Sequence, residues 1–426
     1  MERTKLGQNC RGLTKRLPRR LSRWLTAFHG GVALGFLALW IRAALDGLLW
    51  RADFTAFYTG GAIVRQGLGP RLYDLALQTR IQQAILGPGR VFYDGVLPFN
   101  NPPHFALVMA PFSLLPLGVG YWLWAALQIL LLALVLRRLT GMVSHWSRTD
   151  RWLLLSAFFA WFPLFLNILY GSLSLFLLLC WLEFYQALRR GDDFRAGIWL
   201  APAAVKPQGA LFLALVLLGG RRWRALVSAG IAGAAIVGVT AIAFGPSIWP
   251  DYLRWLAATS GYFDRFGVYP EGMINLKGTL TLLLGVERAP LIQTLSALAL
   301  LIGSLGTLIL WLRAGWEPGT APFDLRLAWT LGLGALLSLH QNQQDCLTRS
   351  CPSFSCEAQC RMGRPIRPMA LFLLSWPILF LVEEFALRGA LHIRVPVILM
   401  VILLVWTWRL WRAEEKVRFP AGAGSS

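Results

Sequence analysis

Apolar runs long enough to cross a bilayer recur along nearly the whole chain. They fall near residues 24–45, 105–138, 151–170, 172–188, 195–218, 223–245, 289–312, 323–339, 369–387 and 391–411. Each is close to the roughly 20 residues that a hydrocarbon core demands. Several carry Trp or Tyr near their ends, where amphipathic rings favour the membrane–water interface. No internal repeat of fixed period is visible. Backbone polar groups inside lipid must be satisfied within the segment itself. The pattern therefore predicts an all-α, polytopic membrane protein of about 10–11 transmembrane helices. Its membrane domain spans residues 24–411, preceded by a basic arm, 1–23, and followed by a tail, 412–426. The run that begins at Trp24 is read as a retained first helix, because no small-residue cleavage site follows Leu45.

Two long polar interruptions break the pattern, at residues 46–103 and 246–288. Within the first, 55–67 and 73–86 read as short amphipathic helices lying on the membrane surface, with Asp74 placed as a helix cap. The stretch "FNNPPHFALVMAPFSLLPLG" follows, and its four prolines predict a broken crossing.

Charge sets the orientation. The chain is 56% hydrophobic and only 15% charged, against about 25% charged in soluble domains. Its net charge of +20 sits in short clusters between apolar runs: KRLPRR at 15–20, RRLTGMVSHWSRTDR at 137–151, RRGDDFR at 189–195 and RRWR at 221–224. Such clusters mark cytoplasmic loops and argue against a nucleic-acid partner. The arm then lies in the cytoplasm of a plasma or inner membrane, and both long interruptions lie outside. Run 195–218 conflicts with this rule, since basic clusters flank both of its ends. Pro202 and Pro207 bracket Lys206 in "LAPAAVKPQGALF", which predicts a broken or re-entrant pair of half-helices with Lys206 near the turn. Non-helical backbone at membrane depth is tolerated where it lines protein or a wet cavity, and an ionisable residue there marks a functional site; a lysine snorkelling to an interface is the alternative.

One window resists the pattern. Residues 340–368 form an irregular segment in which "CLTRSCPSFSCEAQCRM" (346–362) holds four of the six cysteines. The spacing is not that of a zinc site. GC-rich codons compatible with these residues, read one nucleotide out of register, can encode an apolar helix-like segment, so 346–362 is read as a frameshifted stretch replacing a native helix. A redox or metal cluster and a genuine loop are the alternatives.

Candidate chemistry is sparse. There is no nucleophile elbow, P-loop, H-E-x-x-H or EF-hand loop. Asp53, where the first helix meets the outer interruption, reads either as a helix cap or as a general base toward a hydroxyl. His104, in "NPPHF", is either solvated at the interface or near substrate. Tyr58 and Trp50 are either interfacial anchors or stacking platforms.

Taken in order, "ADFTAFYTGGAIVRQGLGPRLYD", "FNNPPHFALVMAPFSLLP", "NILYGSLSLF", "AGIWLAPAAVKPQGALFLALVLLGGRRWRAL" and "LSLHQNQQD" resemble the polyprenyl-phosphate-dependent hexosyltransferases of glycosyltransferase family 87, in the GT-C superfamily. The resemblance runs from about residue 24 to about residue 345. It implies an integral-membrane mannosyltransferase-like enzyme of cell-envelope glycolipid biosynthesis. Such an enzyme takes a sugar from a polyprenyl-phosphate donor and attaches it, with inversion, to a lipid or glycan acceptor on the extracytoplasmic face. It implies neither cofactor nor bound metal. Asp53 matches the family's general base, and Lys206 its donor-phosphate lysine. His340 matches a phosphate or sugar contact, and Asp345, more weakly, a later acid. Gln208 follows Pro207 where the family's glutamine usually precedes proline. Ser172 and Ser174 stand where the family often carries Gln and Asn. Arg254 or Arg265, from the second outer interruption, would assist at the phosphate. The rival reading is a lipid-linked sugar transporter or flippase, which a broken helix also suits.

Overall fold

A computed structural model describes residues 19–144, 146–263, 265, 268–349, 378, 381–383 and 394–418. Among these residues helices dominate and no strand forms beyond one isolated bridge, Arg265 to Val268. The apolar runs become α1 (Arg19–Leu45), α5 (Leu117–Met142), α11 (Trp223–Phe244), α14 (Ala289–Arg313) and α16 (Val395–Arg418); labels for the elements between are given as each is reached. These five are long and apolar enough to cross a membrane. A sixth crossing arises if α6 (Arg148–Phe159) and α7 (Phe162–Tyr170), which meet at a 49° bend, act as one span. Runs 172–188 and 323–339 become the shorter helices α8 (Ser174–Arg189) and α15 (Ala321–Leu337), of 16 and 17 residues. Run 369–387 and most of the window 346–362 lie outside the described residues. Cys346 is described: it is buried in an apolar cluster with Phe36, Phe162 and Ile274.

Both proline-guided breaks occur. Residues 103–116 form α4 (Pro103–Met109) and a short 3-10 turn before Pro116 starts α5. Run 195–218 is two half-helices, α9 (Asp193–Ala203) and α10 (Pro207–Gly219), with Lys206 in extended conformation between them. Pro207 opens α10 at a position where its missing N–H costs nothing and biases Lys206 away from the helical region.

The first long polar interruption differs from expectation in one respect. It does form α2 (Asp53–Arg65) and α3 (Leu75–Leu86), and Asp74 caps α3 by accepting from the Leu77 N–H at 3.1 Å. But α2 does not lie on a surface: Phe54 through Ile63 are all buried. Gly61 packs so closely that an added Cβ would stand 2.4 Å from the Met109 carbonyl oxygen. Two small residues let the α2 backbone sink between α4 and the rest of the bundle. The two long polar interruptions also pack on each other. Tyr73 stacks against Tyr252 and Trp255 of α12 (Ile248–Ser260), and the Trp255 indole donates to Asn100 Oδ1 at 2.9 Å.

Candidate active site

The turn between α7 and α8 is the hub. Gly171 takes a left-handed conformation, φ +68°, at the C-terminus of α7, the usual helix-ending device. Its carbonyl accepts from the Trp124 indole at 2.7 Å, and the Ser172 carbonyl accepts from Gln128 at 2.8 Å. Asn167 Oδ1 accepts from the Ser174 and Leu175 N–H groups and so covers the first turn of α8. The backbone of Ser172-Leu173-Ser174 is thus held on several sides before its side chains do anything.

Those side chains reach two different carboxylates. Ser172 Oγ donates to Asp53 Oδ2 at 2.6 Å, and Ser174 Oγ donates to Asp345 Oδ1 at 3.0 Å. Asp345 lies in a 3-10 turn, Gln343–Arg349, and forms an ion pair with Lys206 from the α9–α10 break. The Asn342 N–H donates to Asp345 Oδ2 at 3.2 Å. Gln344, from the same turn, donates to Asp53 Oδ2 at 3.3 Å. Four distant pieces of sequence therefore meet at one point.

Their electrostatics differ. Burial raises the Asp53 pKa above its ordinary 3.8, against the opposing Ser172 hydrogen bond and Lys206 charge; the nearby Asp345 carboxylate pushes in the same direction as burial. Burial would raise Asp345 as well, but the Lys206 ammonium outweighs it and holds Asp345 below the usual carboxylate range. Two neighbouring acids are thus driven apart, one toward proton uptake and one toward permanent charge. Both hydrogen bonds to Asp53 fall on Oδ2, and the residue is only partly buried, so Oδ1 can meet a hydroxyl. As the first residue of α2, Asp53 is not its cap; Ala52 holds that position.

His340 joins the cluster through Asn342, whose Nδ2 lies 3.3 Å from His340 Nε2. Burial lowers the His340 pKa to about 4, so the ring is neutral at pH 7 and offers a hydrogen bond rather than a charge. A small cleft adjoins Lys206, Asp345 and Gln341, with Leu177, Trp181 and Phe212 forming its apolar wall.

Other expected residues are placed elsewhere. Arg254 is 75% exposed and pairs with Asp251 one turn away on α12; the structure does not bring it to the carboxylates. Arg265 is exposed as well. His104 stacks on Trp249 at 6.4 Å, and burial lowers its pKa to about 4. The Tyr58 hydroxyl donates to the Leu115 carbonyl at 2.6 Å, tying α2 to the head of α5. Trp50 packs edge-on against Phe92. Gln208 sits in the first turn of α10, but its side chain lies outside the described ones. The cluster also contains Gln344 and Asn342, which sequence reasoning did not single out, and it gives Ser172 and Ser174 a task where sequence reasoning saw only departures. Among the described residues no group of three or more His, Cys, Asp or Glu side chains gathers in a metal-holding arrangement.

One curated relative is the polyprenol-phosphate-mannose-dependent alpha-(1-2)-phosphatidylinositol pentamannoside mannosyltransferase of Mycolicibacterium smegmatis. It is 30% identical over 216 residues, which cover 47% of this chain and 49% of the relative. The match thus spans about half the length of that relative. No solved structure matches. The sequence model of glycosyltransferase family 87 matches residues 99–338, more than half of the chain's 426, a stretch that includes Ser172, Ser174 and Lys206. Among the described residues five helices are long and apolar enough to cross a membrane, and the chain belongs to glycosyltransferase family 87.

Proposed function

We propose that the protein transfers a mannosyl residue from a polyprenyl-phosphate donor to a hydroxyl of a lipid or glycan acceptor, on the extracytoplasmic side of the membrane and with inversion at the anomeric carbon. The observation that carries this reading is the Ser172-Leu173-Ser174 turn. It holds Asp53, a carboxylate whose pKa burial raises, on one serine and the carboxylate paired with Lys206 on the other. The turn thereby links a base and a cation, the two groups that a single displacement calls for.

In that displacement the acceptor hydroxyl approaches Asp53 Oδ1. The carboxylate takes the hydroxyl proton as the acceptor oxygen bonds to the anomeric carbon. The bond from that carbon to the phosphate oxygen breaks on the opposite face, which inverts the centre, and the leaving phosphate keeps the electron pair. Lys206 faces this developing charge in a partly dry site, where a fixed cation is worth more than in water. His340 adds a neutral N–H. Phosphate is a good leaving group, so no second acid is needed, in contrast to the two carboxylates of hydrolytic glycosidases. The step as proposed uses no metal or organic cofactor. The apolar wall at Leu177, Trp181 and Phe212 suits the isoprenoid next to the phosphate. The relative from Mycolicibacterium smegmatis, named for dependence on polyprenol-phosphate-mannose, supports the choice of donor.

The α9–α10 break at Lys206 also favours a second reading, a lipid-linked sugar transporter. Membranes carrying the protein are supplied with polyprenyl-phosphate-[14C]mannose, and label in new glycosidic products is measured. Transfer by the wild type that is lost in Asp53→Asn supports the transferase. Movement of labelled donor across vesicles with no glycosidic product favours the transporter and removes the transferase.

A further inference from the structure

The end of the bundle that carries the hub is covered by the long polar interruptions. There α13 (Leu276–Leu284) is tied down through its cap, Asn275, which donates to the Ser338 carbonyl at 2.8 Å. At the other end α5 and α6 are joined by residues 143–147 alone, and a small cleft opens between them. Val143, Leu154, Leu155 and Phe158 form its apolar walls, and Thr140 and Arg151 supply its polar groups. Val143 and Leu154 are backed by Trp146 and by Leu403 and Trp406 of α16. Thr140 lies twelve positions beyond Gln128 on α5, about 18 Å along the helix axis, so the cleft is separate from the hub.

Arg151 is the group that the fold leaves unsatisfied. Its guanidinium Nε is buried and has no hydrogen-bond partner among the described residues. A buried charged donor in that state is costly. The charges nearby do not relieve it. Asp150 turns to the Ser147 hydroxyl, which donates to its Oδ2 at 2.7 Å, and adjacent helix positions do not face each other. Arg138 of α5 is already paired with Glu183. Arg137 and Arg148, both exposed, add further positive charge to this end of the two helices.

We propose that this cleft binds one anionic phospholipid, with the lipid phosphate on Arg151 and the start of an acyl chain along the apolar walls. Charge chooses the headgroup: a guanidinium presents several N–H donors in a fork that fits phosphate oxygens. The walls choose the chain, since they reward hydrocarbon and offer nothing to a free, hydrated phosphate. Depth chooses the source. At 26 residues α5 is long enough to cross the hydrocarbon core, so its last turns lie where headgroups lie, and basic pockets between transmembrane helices are headgroup sites. The bound lipid bridges α5, which holds the Gly171 turn through Trp124 and Gln128, and α6, which leads through the 49° bend into α7. It thus braces, from the far end, the helices that place the hub.

The test uses the full chain, purified in detergent and stripped of lipid. The probes are dioleoyl phosphatidylglycerol, dioleoylglycerol (the same chains without phosphate) and glycerol phosphate (the headgroup without chains). Native mass spectrometry reads binding. Thermal melts read stabilisation, since a ligand of the folded state raises the melting temperature by mass action. Phosphatidylglycerol is expected to bind and to raise the melt, and the other two to do neither. Arg151→Met keeps the apolar stem and removes the charge. It should weaken phosphatidylglycerol binding by about tenfold or more and abolish the stabilisation, while Arg148→Met, outside the cleft, should keep both. If Arg151→Met does not fold, phosphatidylglycerol with a diazirine in its acyl chain is cross-linked to the wild type, and label is expected on residues 154–158. Wild-type affinity in a folded Arg151→Met, an equal loss in Arg148→Met, binding of dioleoylglycerol or glycerol phosphate as tight as that of the phospholipid, or label confined to other helices overturns the inference. None of these readouts uses mannose transfer, so the transferase reading stands or falls separately.

Discussion

Asp53 and Asp345 belong to opposite ends of the described sequence, yet one turn holds both. Ser172 donates to the first at 2.6 Å and Ser174 to the second at 3.0 Å. Leu173 takes a non-extended conformation, φ −91° and ψ 5°, just before the helix, and its side chain is buried, while the serine on each side of it reaches one acid. The relationship fixes the spacing between the base and the ion pair without any direct bond between them. It also makes each acid separately testable.

Replacing Asp53 with Asn removes proton acceptance and little else. General-base catalysis contributes about 10²–10⁴-fold, so mannose transfer should fall by at least about 100-fold. Stability should not fall with it. The Asp53 pKa in the folded protein lies above its unfolded value. A carboxyl shifted that way is destabilising when ionised, and the penalty grows as pH rises through the folded pKa. Asn is neutral and can still accept from Ser172 and Gln344. A thermal melt at pH 7 should therefore place Asp53→Asn at or above wild type, and a clearly lower melt would count against Asp53 as a carboxylate whose ionised form the fold disfavours.

The pH profile should separate the two serines. Asp53 must be ionised to act, so transfer falls on the acid side as pH drops through its raised pKa. Ser172 stabilises the ionised form and lowers that pKa. Ser172→Ala therefore raises it further and moves the acid limb to higher pH. Ser174→Ala loses one hydrogen bond to Asp345, which Lys206 and the Asn342 N–H still hold. Its cost is about 1 kcal/mol of stability, with the acid limb unmoved. Equal shifts for both variants would contradict the assignment of Asp53 as the titrating base.

The Lys206–Asp345 pair should show strong coupling. Removing one member of a buried pair costs about 3–5 kcal/mol, because the other charge is left without a partner. Lys206 is 24% exposed, so Lys206→Met should cost less, about 2–3 kcal/mol after solvent screening. The double variant Lys206→Met/Asp345→Asn leaves no orphan charge and should regain most of that stability. It should not regain activity, because the cation opposite the leaving phosphate is gone. Denaturant melts and transfer assays on the four proteins of the cycle check both statements, and recovery of activity in the double variant would make Lys206 a structural residue only.

Much of this architecture was legible because prolines and charges act locally. Pro202, Pro207 and the flanking arginines marked the break at Lys206, and Asp74 before an amphipathic segment marked a cap. The buried position of α2 was not legible. "DFTAFYTGGAIVR" lies between charged, polar stretches of a long interruption, and only packing reveals that Gly60 and Gly61 let it approach Phe99 and Met109. The serine pair was not legible either. A serine carries no distinctive chemistry until a partner is placed beside it, and the partners come from residues more than a hundred positions away. Arg254 shows the reverse error: a cation in the correct loop spends its charge on Asp251 of its own helix.

Gly171 carries the last prediction, because the hub depends on its backbone. Its φ of +68° is left-handed, and an added Cβ would stand 3.0 Å from the Trp124 ring and 3.1 Å from Phe54 Cβ. The left-handed conformation alone costs a non-glycine residue about 1–2 kcal/mol. Phe54 adjoins Asp53, and Trp124 holds the Gly171 carbonyl, so relief of the contact must move either the base or the turn that positions it. Gly171→Ala should therefore lose about 1–2 kcal/mol of stability and, at temperatures where it is fully folded, still transfer mannose at least tenfold more slowly. The donor KM should stay near wild type, because the Lys206 side of the cleft does not touch Gly171. A variant that is destabilised but transfers at the wild-type rate when folded would show that the turn supports the fold without setting the position of Asp53.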